Sequence, residues 1–217
     1  MKRHHYILVD SETTRRQTVA DFGAVVIGRD GRIVEQFGAL VFGHFGKFDL
    51  FADPSLPDSA FWSEQSAQRR MKNYHAMIDS GERSISSPAL IQQWLWGVNQ
   101  RYQPTLTAYN LVFDFGKCQN TRINLGIFSQ SFCLMKAAKK VIGIRADYQA
   151  FCYDENLVTK KMRKPQMTAD AMAKFIIGND LADEPHTALE DARDYERAIL
   201  AHLLKSLTRQ QILELGQ

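Results

Sequence analysis

Arg29-Asp30-Gly31 lies between two apolar runs, Phe22 to Ile27 and Ile33 to Phe42. Asp-Gly between β-branched runs is a strong hairpin signal, because the tight turn needs positive φ at its central residues. Tyr6 to Val9 is a further apolar run that does not alternate, which predicts a first strand buried on both faces. Three strands therefore come early, before any helical pattern starts.

The rest of the chain reads differently. Gly43 to Asp58 sets Phe45, Phe48 and Phe51 among glycines and prolines and reads as a long loop, a candidate lid or substrate rim. Helices are predicted over about Ser59 to Ser80, closed by Gly81, and over Ser87 to Gln103, where Ser-Pro supplies an N-cap and a first-turn proline. Leu106 to Asn110 is a short strand, Phe113 to Gln119 opens a helix, and Ile127 to Leu134 is another strand. Thr168 to Ile177 and Thr187 to Leu207 are helices. Antiparallel strands first, then strands alternating with helices, imply an α/β fold whose mixed sheet carries helices on both faces. With 217 residues, 45% of them hydrophobic, the expectation is a single domain over 1–217 with an insertion at about 43–80.

Cys118, Cys133 and Cys152 are odd in number and far apart, so neither a disulfide framework nor a zinc site is suggested. The apolar part of the N-terminus is too short for a signal peptide or membrane span, and the expectation is a reduced, cytoplasmic protein with no membrane partner. The net charge is only +3, but Cys133 to Lys164 holds eight basic residues and three acids, a local +5. Such a flank can steer a polyanion, and equally it can be a solvated lysine-rich loop.

Three stretches carry chemistry. Asp10 and Glu12 end the first strand in YILVDSETT; side chains two apart on a strand share a face, and two carboxylates that close repel unless a cation sits between them. Oxygen ligands of this kind suit Mg²⁺ or Mn²⁺. Alone, such a pair more often merely ends a strand in solvent. Asp114 follows another strand in AYNLVFDFGK and alone would read as a first-turn helix acid. In EPHTALEDARDYE, Thr187 and Glu190 have the form of a capping box, which would bring His186, just before the cap, beside Asp191. An exposed histidine followed by an acid facing a helix N-terminus is an equally good reading there. The joint occurrence of all three, each at an element end, favours a metal site.

In these residues the chain resembles the DEDDh 3′-to-5′ exonucleases, a group that includes proofreading subunits of bacterial DNA polymerases, RNase T and oligoribonuclease. VDSETT matches the first motif, AYNLVFD the second and HTALEDA the third, with His-x-Ala-x-x-Asp-Ala at 186 to 192 the most specific. The resemblance implies the RNase H-like αβα fold, a five-stranded mixed sheet flanked by helices, and hydrolysis of phosphodiesters from a free 3′ end to give nucleoside 5′-monophosphates. It implies that Asp10, Glu12 and Asp191 hold one divalent cation and that Asp10 with Asp114 holds a second, the two about 3.5 to 4 Å apart. His186 would be the general base, and Thr13 would meet the terminal sugar.

Two departures from the family pattern stand out: Arg15 and Arg16 replace the usual glycine and can grip phosphate, and Tyr109 replaces the usual histidine before Asn110. Tyr109, Phe113 and Phe115 are stacking candidates, each also a core candidate. The expected partner is nucleic acid with a free 3′ end, DNA in preference to RNA, which remains the alternative substrate. A non-catalytic nucleic-acid-binding module on the same fold is the rival from another class.

Overall fold

The computed structural model describes residues 4–217. β1 (His5–Thr13), β2 (Val19–Gly28) and β3 (Ile33–Val41) form an antiparallel meander. The Asp30-Gly31 turn is present, with Gly31 at φ 78° and the Asp30 carboxylate accepting the Arg32 amide at 3.1 Å. Beyond these come α1 (Glu64–Asp79), β4 (Ser84–Ser86), α2 (Pro88–Tyr102), β5 (Thr105–Ala108) and α3 (Leu111–Asn120). β6 (Ser131–Cys133), α4 (Leu134–Val141), α5 (Ala146–Asp154) and α6 (Ala169–Ile177) follow, and the last helical run is α7 (Ala188–Glu190), a π-helical turn over Asp191–Glu196, α8 (Arg197–Ser206) and α9 (Arg209–Leu215).

The sheet order is β4-β3-β2-β1-β5-β6, with β4, β5 and β6 parallel to their neighbours. Among the described residues it has six strands where five were expected; β4 is three residues long, too short to leave a period in the sequence. The strand expected over Ile127 to Leu134 shrinks to Ser131–Cys133, because a 3₁₀ turn takes Leu125–Ile127 and Leu134 already starts a helix. The N-cap expected at Ser87 is made, and Thr168, expected to begin a helix, caps it in the same way, each side-chain oxygen accepting an amide three residues on. Among the described residues no helix is long and apolar enough to cross a membrane.

Strand β1 shows how the fold points its acids. Tyr6 and Leu8 pack into one core with Ile199, Leu200 and Leu203 of α8, whereas Ile7 and Val9 pack into the other with Ile91 and Leu95 of α2. By the two-residue period of a strand, Asp10 and Glu12 continue the face of Tyr6 and Leu8, under the last helical run. A shift in the β1–β2 register between Glu12 and Thr13 ends the regular pairing there, as bulges commonly do beside functional sites.

Candidate active site

The helix that starts at Ala188 lies across β2 where two glycines face each other. Gly23 pairs with Asp10 on one side and Gly38 on the other. A Cβ at Gly23 would stand 2.2 Å from the Ala188 carbonyl carbon, and one at Gly38 would meet Arg83 at 2.4 Å and Leu189 at 2.8 Å. The bare patch lets the helix backbone sit directly on the sheet beside Asp10. Asp21, the neighbour of Glu12 across the β1–β2 pair, accepts the Ala188 amide at 2.9 Å. This bond satisfies a free amide of the helix's first turn.

The capping box expected at Thr187 and Glu190 is not formed. Thr187 makes no side-chain cap bond, and its hydroxyl has no partner among the described residues. Glu190 turns instead to Arg83, which is buried, bonds Glu190 and lies 3.4 Å from Asp21. Against a buried guanidinium the carboxylate meets a partner that is itself charged, which the backbone amide of a capping box is not. His186 and Asp191 nevertheless meet, because His186 takes a left-handed backbone, φ 55°, that turns its ring back over the helix start. Non-glycine residues are uncommon in that region, histidine among the more tolerated, and strain of this kind gathers at functional sites.

Ligand atoms of Glu12, His186 and Asp191 lie within 4.8 Å of one another. Asp114 reaches the same place from α3, where the Ser11 hydroxyl donates to its carboxylate at 2.7 Å. Asp10 lies among Glu196, Asp114, Asp191 and Glu12, whose charges all act on it. Burial first, then this mutual repulsion, drives Asp10 well above the ordinary carboxylate range. Burial likewise lifts Glu12 to about 8, opposed by Arg70, and Asp191 to about 10, helped by Glu184 and Glu12. Asp114 is raised by burial to about 7, with the Ser11 bond pulling the other way. Carboxylates crowded so that all resist ionisation are an oxygen-donor set short of positive charge; Asp191 also has an oxygen with no hydrogen-bond partner. The set therefore fits hard divalent cations.

A cavity of about 270 Å³ opens over these groups, lined by Asp10, Glu12, Thr13, Glu184, His186 and Asp191 and by the aromatic side chains of Phe51, Trp62 and Phe113. The His186 ring packs at a tilt against Phe61 with ring centres 3.9 Å apart and lies 5.6 Å from Trp62. Arg70 of α1 sits 4.8 Å from the centre of each of those two rings, 4.0 Å from Glu12, and donates to the Phe51 carbonyl at 2.8 Å. Burial first, then the Arg70 charge, lowers His186 to about 4, so its ring is neutral near pH 7.

The substrate-side expectations divide. Thr13 and Phe113 line the cavity, with Phe113 40% exposed. Arg15 instead pairs with Glu64 at 2.7 Å and Arg16 lies over Phe48, so both turn toward the segment after β3 and neither lines the cavity. The Tyr109 hydroxyl donates to the Met167 carbonyl at 2.6 Å and its ring packs on the core under α8, which makes it a core residue and not a stacking platform. Asn110 caps α3 through its backbone, its carbonyl accepting the Phe113 and Asp114 amides. Phe115 is exposed but does not line the cavity. Sequence reasoning missed Trp62, Arg70, Glu184 and Glu196 at the site, and Asp21, Gly23, Gly38 and Arg83 beneath it. The two glycines carried a signal, since an isolated glycine inside a strand pattern marks close approach of another backbone.

No protein-family model matches the chain, and no curated protein matches its sequence. Solved structures do match its fold. A structure of E. coli exonuclease I in complex with a 5cy-dT13 oligonucleotide aligns with 98% of this chain at 13% identity and a TM-score of 0.54. Exonuclease I in its apo form aligns with 97% at 13% identity and a TM-score of 0.56. A zinc-bound E. coli exonuclease I complex with single-stranded DNA aligns with 98% at 14% identity and a TM-score of 0.55. The chain spans 42 to 44% of the length of those proteins. At the level of fold, the likeness to the DEDDh exonucleases expected from the three motifs is borne out.

Proposed function

We propose, on the fold shared with exonuclease I, that the protein is a metal-dependent 3′-to-5′ exonuclease that removes nucleoside 5′-monophosphates from single-stranded nucleic acid, DNA in preference to RNA. The observation that carries this reading is the convergence of Glu12, His186 and Asp191 with Asp10 on one cavity, with Asp114 held behind them by Ser11 and close enough for its charge to act on Asp10. Single-stranded DNA is favoured because two of the matched exonuclease I structures hold it or a dT13 oligonucleotide. Residues 43–80 read as an insertion that brings Phe51, Phe61, Trp62 and Arg70 to the cavity.

Asp10, Glu12, Asp114 and Asp191 would hold two Mg²⁺ or Mn²⁺ ions. Such ions, when bound, supply Lewis-acid stabilisation of phosphoryl oxygens and lower the pKa of an attacking water. His186 supplies the proton acceptor: burial and Arg70 keep the imidazole neutral near pH 7, so a ring nitrogen is free to take the water's proton. Phe61 and Trp62 pack at a tilt against that ring and hold it in place. Thr13, which lines the cavity beside the acids, would meet the terminal sugar. Phe113 offers an exposed ring face on which a base can stack.

The test is incubation with Mg²⁺ or Mn²⁺ and matched 5′-labelled single-stranded DNA, duplex DNA and RNA. A ladder that shortens from the 3′ end of the single-stranded DNA is expected. Shortening of RNA alone would reassign the substrate, and cutting of circular single strands, or no cleavage with either ion, would overturn the reading.

A further inference from the structure

Glu196 is the buried acid that the proposed chemistry leaves without a task. It stands five residues after Asp191, at the far end of the π-helical turn, and is 2% exposed. One carboxylate oxygen accepts the Tyr109 amide at 3.3 Å, just past the end of β5. The other has no hydrogen-bond partner, and among the described residues no lysine or arginine lies within ion-pair distance. A charged oxygen left so is expensive unless a cation meets it.

Two features show where it aims. The Tyr109 amide that it bonds lies two residues past Thr107, the partner of Leu8 in the β1–β5 register, and Asp10 lies two residues past Leu8, so the carboxylate stands at the end of β1 beside Asp10, where its charge and that of Asp114 act. In an α-helix residues five apart stand roughly 140° apart around the axis, so Asp191 and Glu196 would diverge. The turn here is closed by a bond from the Arg197 amide to the Ala192 carbonyl, five residues back, which rotates Glu196 toward the face that Asp191 presents. π turns of this kind recur at functional sites. The contact to the Tyr109 amide does not explain the charge, since a glutamine oxygen would accept that bond as well.

We propose that Glu196 is a fifth carboxylate of the metal centre, an oxygen ligand, direct or through one water, to a divalent cation shared with Asp10 and Asp114. The assignment rests on the metal-dependent reading of the site. It places an additional anionic donor at the second ion position, where the three motifs supply only Asp10 and Asp114.

The test is Mn²⁺ binding to nucleic-acid-free protein, followed by titration calorimetry and by the loss of the free-ion EPR signal, for wild type, Glu196→Gln and Asp191→Asn. Glutamine preserves the shape and the Tyr109 bond. Glu196→Gln is expected to weaken one of two Mn²⁺ sites by about 10- to 100-fold, or to abolish it. Removal of one repelling charge should also raise the melting temperature of the metal-free variant above pH ~8. Wild-type stoichiometry and affinity in Glu196→Gln, with binding weakened in Asp191→Asn, would overturn the assignment and leave the metal site standing. Absence of Mn²⁺ binding to the wild type would overturn both.

Discussion

Replacing Gly23 by alanine should damage the site without touching any residue that meets substrate. The new methyl would stand 2.2 Å from the Ala188 carbonyl carbon and 2.3 Å from both its oxygen and the Leu189 amide nitrogen. All three are backbone atoms and cannot swing aside. The helix start must retreat by about 1.2 Å to reach the 3.4 Å at which ordinary contact begins. Overpacking of this kind costs ~1–3 kcal/mol, or about 2 to 12 °C in melting temperature for a chain of this size. The larger effect is on geometry: His186 lies two residues before Ala188 and Asp191 three after it, and a ~1 Å misplacement of reacting groups can lower a rate ~100-fold. The assay is the initial rate of 3′-end shortening on a 5′-labelled oligonucleotide at saturating Mg²⁺, beside a melting curve. A folded Gly23→Ala protein with the wild-type rate would show that contact with the sheet does not locate the helix start, and the argument from the paired glycines would fail.

Asp10→Ala and Asp191→Ala should each abolish cleavage while the far-ultraviolet spectrum stays that of the wild type; cleavage retained in either removes that residue from the metal set. His186→Ala should lower kcat by ~10² to 10⁴ with metal affinity nearly intact, and a smaller loss in single-turnover rate would assign the proton transfer elsewhere. The metal-free protein should also lose stability as pH rises. Asp114 at about 7, Glu12 at about 8 and Asp191 at about 10 stay protonated in the fold at pH values where the unfolded chain, with carboxyls near ~4, has already ionised. The fold then holds more protons, so its stability is greatest below pH ~4 to 5 and falls as pH rises through those values. Calorimetry in EDTA should show a melting temperature that drops from about pH 5 to about pH 9, with Mg²⁺ restoring more of it at the higher pH. A melting temperature that rises over that range would mean the acids are not packed against one another.

Much of the frame was legible because it depends on local rules. Asp30-Gly31 fixes a turn, Ser87 and Thr168 fix helix starts, and the two-residue period of β1 fixes which face carries Asp10 and Glu12. What escaped depends on contacts distant in sequence. Thr187 and Glu190 have the spacing of a capping box, yet Arg83, over a hundred residues earlier, takes Glu190, and Asp21 from another strand takes the amide. Glu196 could not be placed from an α-helical period, because the turn that aims it is not α-helical. Trp62 and Arg70 lie in the stretch read as a helix over Ser59 to Ser80, whose pattern says nothing of what it packs on; that it folds over His186 is decided by ring packing and by the attraction of Arg70 to Glu12.

The distribution of positive charge gives a reason for the metal requirement that does not depend on the motifs. Two buried arginines stand at the rim. Arg70 answers Glu12, and Arg83 answers Asp21 and Glu190. Within the rim, among the described residues, Asp10, Asp114, Asp191 and Glu196 have no lysine or arginine at ion-pair distance, although each is driven upward by burial. The fold thus neutralises the acids that position the helix and, of those that converge, meets only Glu12 with an arginine. Arg70 adds a second effect, because the same guanidinium that holds Glu12 also depresses the His186 pKa. Removing it should release both: Arg70→Met is expected to raise the His186 pKa and to shift the acidic limb of the rate profile to higher pH. An unchanged acidic limb would show that burial alone keeps the imidazole neutral, and that the segment carrying Arg70 shapes the cavity without tuning its base.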